Sequence, residues 1–171
     1  MTKSNYELTP QDLRQVSLRY MFGGQLGWNY ERMMSVAYAR AIYPALAKMY
    51  DDKDELKAIM QTELQFFNTS PFLGAFIIGM DLAIQSEEGI ESKETVAALK
   101  TSMMGPFAAI GDALFGAVIP TILGSLAAYM GLEGNPLGVI LWLVVAAIIL
   151  GLRYFELPIA YKQGKKLIST M

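Results

Sequence analysis

Asp112 is the carboxylate of Gly105-Pro106-Phe107-Ala108-Ala109-Ile110-Gly111-Asp112, within a stretch (residues 103–152) whose only other charge is Glu133. A carboxylate among apolar residues at membrane depth is costly, so a binding role is its default reading. The alternative is that Asp112 caps a half-helix starting at Ala113 by accepting from its exposed amides. A second candidate is Asn68, in Phe66-Phe67-Asn68-Thr69-Ser70-Pro71-Phe72. An amide side chain carries both donor and acceptor and can match a sugar hydroxyl. Aromatic faces beside it can cover the apolar side of a sugar ring, so Phe67 and Thr69 complete the candidate substrate-binding set. The alternative here is that Asn68 ends a helix and Ser70-Pro71 turns the chain. A third feature, Gly23-Gly24-Gln25-Leu26-Gly27, lacks the Lys-Ser/Thr ending of a phosphate loop and follows no predicted strand, so it reads as a helix-breaking turn.

Other chemistries are excluded by composition. The 171 residues include no histidine and no cysteine, which removes phosphohistidine, a cysteine nucleophile and the usual zinc sites. No carboxylate cluster has metal-ligand spacing and no histidine can activate a serine, so neither catalytic residues nor a metal or cofactor are expected. The formal net charge of −2 lacks the basic footprint of a nucleic-acid binder.

The elements that must position these residues divide by charge. Residues 1–102 hold 23 charged side chains, residues 103–152 hold two and residues 153–171 hold five. A water-facing helix cannot dispense with polar residues over such a length, so lipid is the simpler solvent for the middle stretch. Residues 137–152 are an uninterrupted apolar run behind a turn at 131–136. The pattern resumes after Arg153 and Glu156, which are three apart and can neutralise each other on one helical face. A transmembrane helix over about 137–161 is predicted, with room for a bend at Pro158. Lys162, Lys165 and Lys166 follow it, which places that end in the cytoplasm.

Residues 105–130, broken by Pro120, read either as one bent crossing or as two half-segments meeting near Pro120. Residues 71–83 are too short to span and read as re-entrant or half-buried. Before them lie amphipathic helices. One starts at Thr9-Pro10 with Leu13, Val16 and Tyr20 on one face. A second is capped by Asn29, with Met33, Ala37, Ile42, Ala45 and Met49 inward. A third covers about 54–67, and a fourth begins near Ser92. The expected fold class is all-α: an integral membrane helical protein with amphipathic amino-terminal helices and broken or re-entrant apolar segments. Its two regions are 1–104 and 105–171.

Three separated motifs resemble component IID of the mannose-family sugar phosphotransferase system, in the family's order: Gly27-Trp28-Asn29-Tyr30-Glu31-Arg32-Met33, Glu63-Leu64-Gln65-Phe66-Phe67-Asn68-Thr69-Ser70-Pro71-Phe72, and the Gly105-to-Asp112 segment. The resemblance implies a bacterial cytoplasmic-membrane subunit, not itself an enzyme. It would form with component IIC the channel that translocates a hexose such as mannose or glucose. Soluble IIA and IIB relay the phosphate, and the IIC–IID pair is expected to be oligomeric. Some members also serve as bacteriocin receptors, so a non-transporting scaffold or receptor is the alternative reading. Family members continue past the region matching Lys162 to Met171, so this chain is expected to be a form lacking the carboxyl-terminal part.

Overall fold

In the computed structural model, which describes residues 7–168 and 170, Thr9 caps the first helix as its sequence predicts. Its Oγ1 accepts from the Asp12 N–H at 3.2 Å and Asp12 Oδ2 accepts from the Thr9 N–H at 3.0 Å. This helix, α1 (Pro10–Gly23), turns Leu13, Val16 and Tyr20 into the core. Helix α2 covers Ser35–Met49, and α3 covers Lys53–Glu63 behind an Asp52 cap. Helix α4 is Gly74–Glu88, and a short 3-10 turn, Gly89–Ser92, leads into α5, Lys93–Gly111. A π-helical stretch, Asp112–Val118, joins α5 to α6, Ile119–Leu132. Helix α7, Leu137–Ile168, closes the described chain.

Asn29 does not cap α2. Its Oδ1 accepts from the Arg32 N–H at 2.9 Å, and its backbone pairs with that of Met33, which takes a positive φ of 53°. Asx-turn bonding of this kind competes with helix and holds residues 29–33 as a closed turn, so α2 starts six residues later, at Ser35. Met33 therefore leaves the predicted helical face, whereas Ala37, Ile42, Ala45 and Met49 are buried on it. The third helix also stops short of Phe67, at Glu63. There the Lys100 ammonium donates to the carbonyls of Thr62 and Glu63, at 3.0 Å each, and so occupies acceptors that the next turn would have used.

Residues 71–83 become α4 and its approach, and the helix runs on to Glu88. Ile77, Ile78 and Leu82 are inaccessible to solvent, so α4 is the inner helix of the bundle. It lies against the second half of α7, where Leu157, Ala160 and Tyr161 are buried. Small residues set this approach: a Cβ on Gly79 would lie 2.5 Å from the Leu157 carbonyl oxygen and 2.7 Å from Ala160 Cβ.

Helix α5, the π-helical stretch and α6 follow one another without a break, a rod of about 60 Å at 1.5 Å per residue. Residues 105–130 thus lie on one continuous helical path; they do not fold back as two half-segments. The Ile119 N–H donates five residues back, to the Leu114 carbonyl. Pro120 follows, and its ring would clash with the Gly116 carbonyl in a regular α-turn, so the widened π-turns accommodate it. The composition-based division at 104/105 falls inside α5.

Helix α7 is continuous through Pro158. That residue can offer no N–H to the Tyr154 carbonyl, and the orphaned acceptor is taken by the Ser17 hydroxyl of α1 at 3.0 Å. Arg153 and Glu156 form no contact ion pair among the described residues. Arg153 donates instead to the Pro71 carbonyl at 2.9 Å, and Glu156 accepts from the Phe76 N–H at 3.1 Å. The start of α4 and its approach are thereby tied to α7.

Helix α6 and the first half of α7 form a hairpin that stands apart from the bundle. Ile122, Leu126, Ile140, Leu143 and Ile148 are exposed on it. An apolar surface of this extent with almost no charge is unfavourable in water and suits hydrocarbon.

Candidate functional site

The segment 67–70 is where the three motifs meet. From the first motif, the Phe67 N–H donates to the Arg32 carbonyl at 3.4 Å, and the Phe67 carbonyl accepts from the Met34 N–H at 2.9 Å. These bonds make Phe67 extended rather than helical. Toward the third motif, the Thr69 hydroxyl donates to the Met104 carbonyl at 3.0 Å. Ser70 lies so close to Gly111 that a Cβ there would collide with its Cβ and Oγ. Glycine at 111 is therefore a close-approach requirement, and Asp112 follows it directly.

The four candidate residues divide within this junction. Phe67 is fully buried, its ring edge-on to Tyr38 at 4.7 Å between centroids, and Thr69 is buried by its bond to α5. The side chains of Asn68 and Asp112 reach the surface. Asp112 has helical backbone angles (φ −71°, ψ −39°), and its N–H donates back to the Ala108 and Ala109 carbonyls. It is therefore inside a continuous helix and caps no half-helix. Asn68 does not end α3 either, since that helix stops at Glu63. Beside the junction, Glu31, Arg32, Gln61, Leu64, Gln65 and Phe66 line an open depression of about 350 Å³. Its amides and charges are of the kind that can hydrogen-bond a hydroxyl, and single-motif reading passed over them.

Beneath the junction is a buried polar cluster that sequence reasoning missed. Asp81 accepts from the Tyr38 hydroxyl at 2.5 Å and from the Gln85 amide at 2.6 Å. That amide also reaches Glu63 Oε1 at 3.0 Å, and Gln85 Oε1 accepts from Tyr50 at 3.1 Å. Glu63 Oε2 meets Lys100 Nζ at 3.3 Å, and the ammonium lies 4.4 Å from the centroid of the Tyr38 ring. Asp81, Glu63 and Gln85 have no exposed surface, and Lys100 retains 2%. The available signal was position: Lys100 falls four residues after the buried Val96, on an apolar stripe.

Burial, reinforced by the neighbouring Asp81 carboxyl, pushes the Glu63 carboxyl well above its ordinary range. Burial likewise raises the Tyr38 hydroxyl, with Asp81 adding to it. A raised pKa means that the folded state keeps the Glu63 proton at pH values where the unfolded chain, above about pH 4.3, has released it. Its stabilising share is complete below that value and is lost as pH rises through the folded-state pKa. Thermal unfolding in detergent across this alkaline-going range is expected to show the decline, and Glu63→Gln to flatten it. An unchanged slope in the variant would assign the pH dependence elsewhere.

A family model described as the PTS system mannose/fructose/sorbose family IID component matches residues 7–171. The mannose-specific EIID component of Escherichia coli K12 is 31% identical over 176 residues, covering 99% of this chain and 62% of its own length. The fructose permease IID component of Bacillus subtilis 168 is 31% identical, covering 96% of this chain and 61% of its own. Among solved structures, the cryo-EM complex of the mannose transporter ManYZ with microcin E492 matches with a TM-score of 0.86 at 29% identity. That match covers 96% of this chain and 62% of the other. The chain spans about 62% of the length of the curated relatives it matches.

Proposed function

The chain belongs to the mannose/fructose/sorbose family of phosphotransferase-system IID membrane components, and from that premise we propose that it forms with a IIC subunit a channel that translocates a hexose. Soluble IIB would phosphorylate the sugar after IIA has relayed the phosphate. The location would be a bacterial cytoplasmic membrane, with the Lys162, Lys165 and Lys166 end of α7 in the cytoplasm. The chain itself is not the enzyme; it positions sugar for its companions, in an oligomer of the IIC–IID pair.

One observation carries this reading: segment 67–70 is pinned on one side by the first motif and on the other by the third. We assign Asn68 and Asp112 as the groups that face sugar, and Phe67 and Thr69 as the supports that hold Asn68 in place. The π-helical stretch beginning at Asp112 fits this role, since such segments occur frequently at functional sites. A non-transporting scaffold or receptor is the second reading, favoured by the ManYZ neighbour having been solved with a microcin bound.

The test is sugar uptake in cells whose own mannose-type system is deleted and which express the companion components. Omitting this chain is expected to abolish uptake; uptake that persists without it would favour the scaffold. Asn68→Ala and Asp112→Ala are each expected to lower uptake by roughly tenfold or more, the loss of one good polar contact. Both variants should remain in the membrane fraction. Normal uptake by the two would remove the site assignment while leaving the family membership intact.

A further inference from the structure

Arg153 belongs to none of the three motifs, yet its side chain reaches the segment where they meet. It is a cation inside the expected 137–161 span, where a charge is costly and is kept with partners. Glu156, three residues on, is not that partner, because its Oε1 accepts from the Phe76 N–H at 3.1 Å. Arg153 Nη2 donates instead to two backbone carbonyls, Pro71 at 2.9 Å and Met21 at 3.4 Å. The guanidinium carbon also lies 5.3 Å from the centroid of the Phe72 ring. One side chain of α7 thus joins the end of α1 to the approach of α4.

From Phe72 the contacts run on to the second candidate residue. The Phe72 ring stacks on Phe115 at 5.2 Å between centroids, with an interplanar angle of 23°. Phe115 is three residues past Asp112 in the π-helical stretch, and Pro71 is three residues past Asn68. Arg153, Phe72 and Phe115 all line one cavity of about 130 Å³. The two rings therefore have open space beside them, and contact with the guanidinium and with each other holds them where enclosure does not. On its near side the segment is tied at Phe67 and Thr69. Its far side, Pro71 and Phe72, is tied by Arg153.

We propose that Arg153 is a positioning residue for Asn68 and Asp112. Its guanidinium fixes Pro71 and Phe72, and through the Phe72–Phe115 stack it fixes the start of the π-helical stretch. A planar guanidinium donates from its edge and presents a face to an aromatic ring, whereas a lysine brings a point charge with no plane to stack. The consequence for sugar rests on the assignment of Asn68 and Asp112 as the sugar-facing groups; the positioning itself does not.

The chain has no cysteine, so spin labels attach only where one is introduced. The full chain carrying Asn68→Cys and Asp112→Cys is labelled in detergent, and dipolar broadening of its spectrum reports the separation of the two labels and its spread. Arg153→Lys keeps the charge and is expected to widen that distribution. Phe115→Leu leaves both carbonyl bonds of Arg153 in place and should widen it too. The double variant should widen it little further, because both substitutions break one series of contacts. A control pair, Arg14→Cys with Lys162→Cys, joins α1 to α7 across a shared depression and should read the same with and without Arg153→Lys.

Sugar uptake by Arg153→Lys with Asn68 and Asp112 intact is the second readout. Its apparent KM is expected to rise about tenfold at an unchanged membrane level, whereas a folding defect lowers Vmax alone. An unchanged 68–112 distribution in either single variant overturns the proposal. So does a distribution that changes together with the control pair, because α7 has then moved as a whole. A widened distribution with an unchanged KM upholds the positioning and removes the sugar assignment of Asn68 and Asp112.

Discussion

Lys100→Met is expected to lower stability by about 3–5 kcal/mol, the cost of removing one partner from a buried charged cluster. The methionine fills nearly the same volume, so the loss is electrostatic in origin. Without the ammonium, the Thr62 and Glu63 carbonyls lose a shared donor at 3.0 Å each, and Glu63 Oε2 loses its partner at 3.3 Å. Each buried acceptor left unpaired costs about 1–3 kcal/mol. For a chain of this length the shift in unfolding temperature is about 10 °C or more, measurable by fluorescence-detected melting in detergent. Combining Lys100→Met with Glu63→Gln is expected to restore part of the loss, because an amide at position 63 can donate as well as accept and leaves fewer buried acceptors unpaired. A melting temperature within a degree or two of the parent would show that the cluster is not the keystone of the α3–α5 contact.

Gly79→Leu is the second large effect. The nearest neighbours of the new Cβ are the Leu157 carbonyl oxygen at 2.5 Å, Ala160 Cβ at 2.7 Å and the Tyr161 N at 3.0 Å. Two of these three are backbone atoms of a helix and cannot swing aside as a flexible side chain can. Helix α4 must then move off α7, opening the core around Ile77, Ile78 and Leu157, which have no exposed surface. Overpacking typically costs about 1–3 kcal/mol and more where backbone must shift, so a loss of about 3 kcal/mol or more is expected. Gly79→Ala brings the same Cβ with nothing beyond it and should cost less. If both variants melt with the parent, the α4–α7 approach is looser than its geometry indicates.

These two sites show where sequence reasoning reached and where it stopped. The Thr9 capping box, the turn before Leu137 and the apolar character of α6 and α7 are local: each depends on residues within a few positions of one another, and the sequence displays them directly. The absence of His and Cys, which removes phosphohistidine and a cysteine nucleophile from these residues, is equally plain from composition. The fold class and the family were therefore legible. Boundaries were less so, since Asn29 had an equally local alternative in its turn with Arg32, and α3 is terminated by a lysine 37 residues away.

The site divides in the same way. The motif residues Asn68 and Asp112 are conspicuous on the chain, but nothing in their spacing says that Ser70 must touch Gly111 or that Phe67 must pair with Arg32 and Met34. Lys100, Glu63 and Asp81 lie on three helices and resemble solvated charges until those helices are packed. Composition and short-range pattern suffice for the solvent each segment prefers and for where helices begin, because hydrophobic transfer and capping act over one or two turns. Which polar groups become partners depends on contacts between segments far apart in the chain, and only the packed tertiary structure decides those.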